Sequence, residues 1–76
     1  LHEMERFEAA EIEDSKAQDL DPENARYHYS LGITLHAMKR YEEAVKEVRK
    51  AIDLEPGNRE YVDHLDIFLR AMEEKS

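Results

Sequence analysis

Seventy-six residues make one small domain and leave no room for an enzyme built from two domains around a cleft. Charged residues at 39% and hydrophobic residues at 41% are too polar for a membrane protein and too apolar for a disordered chain. A net charge of −8 repels phosphate backbones and anionic lipid, so nucleic acid and membranes are not expected partners, whereas a basic or apolar peptide is.

Two Gly and two Pro leave little turn chemistry, which predicts an all-helical chain. A first helix is predicted near 3–20, with Phe7, Ala10, Ala17 and Leu20 as a weak apolar face. Pro22 ends it, because proline disfavours a helical residue before it. Asn24 then offers an amide oxygen to the free backbone amides of a second helix, near 24–38, whose apolar face is Tyr27, Leu31 and Leu35. A third helix, near 41–54, carries Tyr41, Ala44, Val48, Ala51 and Ile52. Pro56 and Asn58 repeat the earlier punctuation, and a fourth helix, near 58–74, aligns Tyr61, Leu65, Phe68 and Met72. Tyr27, Tyr41 and Tyr61 are expected in the core.

These elements repeat. Residues 1–42 laid over 35–76 give 19 identities in 42 pairs, a period of 34. The two prolines, each followed two residues later by asparagine, set the register.

The run Ala25…Tyr29-x-Leu31-Gly32-x-x-Leu35…Tyr41-Glu42-Glu43-Ala44…Val48-x-x-Ala51-Ile52-x-Leu54-x-Pro56 closely resembles a complete tetratricopeptide repeat, and the period matches that family. The resemblance implies an all-α chain of antiparallel helical hairpins stacked as a short right-handed α-solenoid of about four helices. It implies one domain over 1–76: 1–22 as the second helix of a preceding repeat, 23–56 as a complete repeat, and 57–76 as the first helix of a following repeat or a capping helix. The family's packing places Gly32 where the two hairpin helices approach closely, opposite Ala44, with Ala51 as a second small contact. Lys39 departs from the family, which usually has glycine there; a left-handed backbone at Lys39 is expected to cost about 1 kcal/mol.

The resemblance also implies a function. First helices of successive repeats line a concave groove that holds an extended or helical peptide. Carried over, that face is Arg26, Tyr29, Ile33, His36 and Ala37 on the second helix, with Glu60, Asp63, Ile67, Arg70 and Ala71 on the fourth. The expected function is therefore a protein–protein interaction module, a scaffold or adaptor fragment, binding a peptide or short helix. Members that grip acidic chaperone tails use Lys, Asn and Arg on this face. Here the matching positions hold Tyr29, Ser30, Ile33, Ile67 and Ala71, so such a carboxylate clamp is not expected.

Both flanks carry polar substitutions. Val45, Val48 and Ile52 have Glu11, Asp14 and Gln18 as counterparts 34 residues earlier, and Gly32 has Asp66 34 residues later. This predicts polar outer faces, with Glu11, Asp14 and Gln18 turned toward the place of a preceding first helix. Val62 and Leu69 share the stripe of Asp66 and could pair with a second copy. The alternative function is thus a structural, self-associating repeat unit, a possible homo-oligomer without a ligand of its own.

The chemical inventory points away from an enzyme. There is no Cys, hence no disulfide or thiolate site, and no glycine-rich phosphate loop. Ser15, Ser30 and Ser76 sit in no nucleophile motif. Glu60 and His64, four apart, are only two ligands, too few for a closed zinc site, so no metal or cofactor is expected. His2 and His36 are repeat equivalents, and His28 is expected as a packed imidazole. The opening Leu1-His2-Glu3-Met4-Glu5-Arg6 has neither an initiator Met nor an apolar stretch behind a basic end. A secretory signal is not expected, a longer parent chain is, and a cytoplasmic location fits a small domain without staples.

Overall fold

A computed structural model describes residues 2–75 of the chain, with side chains from residue 6 to residue 74. Leu1 and Ser76, at the limits of the expected domain, and the side chain of His2 lie outside the described residues. The described residues form α1 (His2–Leu20), α2 (Ala25–Ala37), α3 (Tyr41–Leu54) and α4 (Arg59–Lys75), with no strand among them. Each helix packs on the one before it, giving an all-α helical-repeat fold 37 × 33 × 15 Å in extent.

The punctuation works as the sequence predicts. The Asn24 amide donates to the Asp21 carbonyl at 3.1 Å and the Asn58 amide to that of Glu55 at 3.0 Å, closing the same four-residue turn twice with proline second. The Asn24 side-chain oxygen then accepts from the Arg26 amide at 3.0 Å. That of Asn58 accepts from the Glu60 and Tyr61 amides at 3.0 and 3.4 Å. Each asparagine so satisfies helix amides that have no intrahelical acceptor.

Between α2 and α3 the chain reverses through Lys39, whose φ is 65°. The Arg40 amide reaches back to the Leu35 carbonyl and the Lys39 amide to that of His36, both at 2.9 Å. This is a Schellman ending, in which a left-handed residue lets two amides bond the last free carbonyls. A lysine in that conformation costs about 1 kcal/mol, which the two bonds and the docked hairpin offset. Glu42 and Glu43 in the first turn of α3 complement its dipole.

The α2–α3 hairpin is tightly nested at Gly32. A Cβ there would lie 2.7 Å from Val48 Cγ2 and 3.2 Å from the Ala44 carbonyl oxygen. Around the crossing, Leu31, Leu35, Ala44, Val45, Val48 and Phe68 form one buried cluster, joined by partly buried Ile52, Leu65, Leu69 and Met72. Ala25, Ala51 and Tyr61 form a second. Of the three tyrosines expected in the core only Tyr61 is buried; Tyr27 and Tyr41 are half-buried.

α1 docks differently from expectation. Leu20, placed on its apolar face, is 88% exposed. Glu11, Asp14 and Gln18, expected to face the place of a preceding first helix, bond partners on α2, on α3 and in the turn between them. Thr34 donates to Asp14 at 3.1 Å, Gln18 donates to Glu47 at 2.9 Å, and Arg40 donates to Glu11 at 2.7 Å. The reason lies in the repeat: α1 packs on α2 as α3 packs on α4, so the stripe that buries valine and isoleucine on α3 meets a neighbour on α1 too. Polar side chains there must find polar partners. These polar contacts join α1 to the rest of the chain alongside half-buried Phe7, Ala10 and Ala17.

His28 sits at the hub of these contacts. It is a buried imidazole, as expected, but a hydrogen-bonded one. Nδ1 faces Glu47 Oε1 at 3.0 Å and the Gln18 amide nitrogen, and Nε2 donates to the Pro22 carbonyl at 2.8 Å. Burial works to raise the Glu47 carboxyl, but its hydrogen-bonded contacts with His28 and Gln18 and the nearby Lys50 charge outweigh it and hold Glu47 below the usual range.

Candidate functional site

The residues carried over as a groove lie on one side of α2 and α4. Positions 26, 29, 33 and 36 step by three or four along α2, and 60, 63, 67 and 70 do so along α4. What brings the two helices together is a seam of rings. Tyr29 from α2 meets Tyr61 from α4 with centroids 4.6 Å apart and His64 edge-on at 5.1 Å. Further along, His36 stacks on Phe68 at 4.3 Å and 12° and meets Tyr41 at 5.1 Å.

The seam fixes its own polar atoms. His64 Nδ1 donates to the Glu60 carbonyl at 3.0 Å, one turn back on the same helix. The Tyr29 hydroxyl lies 3.1 Å from Nδ1 and 3.3 Å from Nε2, and with the Nδ1 proton on the Glu60 carbonyl it is Nε2 that can accept from it. Burial, then the Glu60 charge, pushes the Tyr29 phenol above its usual value and keeps it a neutral donor. His36 is the exception. Its Nε2 is buried without a hydrogen-bond partner, and burial followed by the positive influence of His64 lowers its pKa below the usual histidine value.

The expected contact residues therefore separate into two groups. Tyr29 and His36 are half-buried and form the floor. Ile33 on α2 and Ile67 on α4 are 40% and 53% exposed. Arg26, Asp63 and Arg70 are exposed at the rim, as are Glu60 and Ala37, and Ala71 is half-buried. Arg70 pairs with Asp66 at 3.2 Å, a solvated contact that leaves both groups open to exchange. Of the pair assigned to a second copy, Val62 is 45% exposed, whereas Leu69 is half-buried against the core.

His64 is the floor residue that sequence reasoning missed. Its spacing from Glu60 suggested a weak ligand pair, and the structure instead uses its Nδ1 to bond the Glu60 backbone. The repeat register pairs His64 with Ser30, one position away from Tyr29, so comparison of repeats hides the contact. The signal was the run Tyr61, His64, Phe68 at spacings of three and four. Among the described residues no three His, Asp or Glu side chains gather as metal ligands, and no helix is long and apolar enough to cross a membrane.

The face thus offers apolar edges over an aromatic floor, with charges of both signs at its rim. That arrangement suits burial of a chain with apolar side chains. Residues 25–58, the α2–α3 hairpin with its closing turn, match the family described as tetratricopeptide repeat. No curated protein matches the chain.

Proposed function

We propose that the α2–α4 face binds an extended peptide or a short helix, a reading supported by the match of residues 25–58 to the tetratricopeptide repeat family, whose repeats mediate protein–protein interaction. The observation that carries this reading is the pair of exposed isoleucines, Ile33 and Ile67, on the two helices that the packed ring seam joins. Ile33 and Ile67 take apolar side chains of the partner. Tyr29 and His36 form the floor beneath them. Arg26, Asp63 and Arg70 set polarity at the rim. Two helices bury little area, so the affinity is modest, near micromolar.

An acidic carboxylate tail is a poor ligand for this face. Tyr29, Ser30, Ile33, Ile67 and Ala71 supply no cation, and Glu60 and Asp63 oppose one acidic group with another.

The test uses peptides selected from a display library against the intact chain. Ile33→Asp together with Ile67→Asp should abolish their binding while helicity and Tm stay nearly unchanged, since both side chains are exposed. Unaltered affinity would refute the assignment. Micromolar binding of an acidic chaperone-tail peptide in a fluorescence titration would refute the exclusion of a clamp.

A further inference from the structure

Among the described residues one buried side-chain polar atom lacks a hydrogen-bond partner, Nε2 of His36 in the floor of the α2–α4 face. Its ring is held by two others. Phe68 of α4 stacks on it with centroids 4.3 Å apart at 12°, and Tyr41 of α3 meets it at 5.1 Å and 60°. The residue as a whole is only half-buried, so part of the ring still meets water. The titratable groups around it are Tyr41 from α3 and His64 from α4, which lies 6.0 Å beyond, against Phe68, and whose positive influence opposes a second charge. No carboxylate accepts from Nε2.

The charge of the ring decides how that burial is borne. A neutral imidazole can keep its one proton on Nδ1 and leave only a lone pair at Nε2. An imidazolium carries N–H at both nitrogens, so a donor bearing part of a positive charge would stand at Nε2 without an acceptor. The packing therefore admits the neutral ring and resists the charged one. His36 follows Ile33 by three residues on α2, and Phe68 adjoins Ile67 on α4, so a chain covering the two isoleucines also takes water from the open edge of the ring. We propose that occupancy of the α2–α4 face is linked to a proton on His36: the peptide partner binds when the ring is neutral and leaves as the solution turns acid. The linkage presupposes that this face binds a peptide, as proposed above.

The sign follows from burial. In the free chain burial, then His64, already holds the His36 pKa below the ordinary value of 6.5. Covering the ring makes its charged form costlier still, so the bound pKa lies below the free one. Affinity is then full above the free pKa, falls as pH drops through it, and levels off below the bound pKa. By the same linkage, binding within that window expels protons. Of the other histidines, His28 is buried against Pro22 and Glu47, whereas His64 shares the face and touches Tyr29. His64 is therefore the group from which His36 must be told apart.

The probe is a display-selected peptide free of His, Asp and Glu and blocked at both ends, whose binding to the full chain is lost in Ile33→Asp with Ile67→Asp. Its Kd should rise about threefold or more between pH 8 and pH 5.5. Calorimetry at pH 6 in two buffers of different ionisation enthalpy should show protons released on binding, with none at pH 8. The His36 ring resonances should titrate at lower pH with the peptide bound than without it. His36→Phe keeps a ring on Phe68 and removes the titrating nitrogens, so it should flatten the pH dependence and abolish the release, whatever its affinity at pH 8. A Kd constant with pH, proton uptake in place of release, or a pH dependence that survives in His36→Phe overturns the proposal, the last by giving the proton to His64. In each of these cases the peptide still needs Ile33 and Ile67, and the peptide-binding reading stands. If no selected peptide depends on the two isoleucines, that reading fails and the linkage fails with it.

Discussion

Gly32→Ala tests the α2–α3 hairpin crossing. The new methyl would sit 2.7 Å from Val48 Cγ2 and 3.2 Å from the Ala44 oxygen. Carbon atoms in ordinary contact stand about 3.5–4.0 Å apart, so the overlap with Val48 is close to 1 Å. Val48 has no exposed surface, and a β-branched side chain in a helix keeps essentially one rotamer, so relief must come from moving α2 away from α3. Overpacking of this kind costs about 1–3 kcal/mol, against about 1 kcal/mol gained by alanine over glycine inside a helix. The expected net loss is about 1 kcal/mol, or about 4–8 °C in Tm. Val48→Ala removes the opposing methyl, at its own cavity cost. In that background Gly32→Ala should stabilise, by about 0.5–1 kcal/mol. Urea unfolding of the four proteins closes the cycle. Equal effects of Gly32→Ala in both backgrounds, within about 0.5 kcal/mol, would mean that steric contact with Val48 is not why glycine stands there.

Three further outcomes follow from the same geometry. Lys39→Gly should stabilise by about 1 kcal/mol in thermal unfolding, since φ of 65° is free to glycine and strained for lysine; destabilisation would contradict the Schellman ending. Asn58→Ala should cost about 1 kcal/mol, because the Glu60 and Tyr61 amides lose their acceptor, and amide exchange in the first turn of α4 should quicken; unchanged exchange would remove the capping role. His36 has a folded pKa lowered from 6.5, so the unfolded chain takes up its proton first as pH falls. Its contribution therefore lowers stability as pH drops through about 6.5, levelling off below the folded value. Tm measured from pH 8 to 5 should fall less steeply in His36→Gln than in the native chain, and parallel curves would deny the burial of its ring.

The chain by itself determined the repeat and the four helices. A period of 34, two proline–asparagine turns and a lone glycine between large apolar residues each act locally or between adjacent helices, so their consequences can be read in order along the sequence. Which residues share a side of α2 or of α4 was legible for the same reason, because spacing of three and four sets positions around one helix. Tertiary structure decided which neighbour each side meets. Glu11, Asp14 and Gln18 look like a solvated edge until Thr34 from α2, Glu47 from α3 and Arg40 from the turn between them arrive to bond them. His64 reaches Tyr29 one position out of repeat register, and Leu20 extends the apolar pattern of α1 yet lies beyond any helix that could cover it. Periodicity fixes a direction around one axis. Burial and hydrogen bonding depend on the distance to a second and third axis, which exist only when the helices are packed.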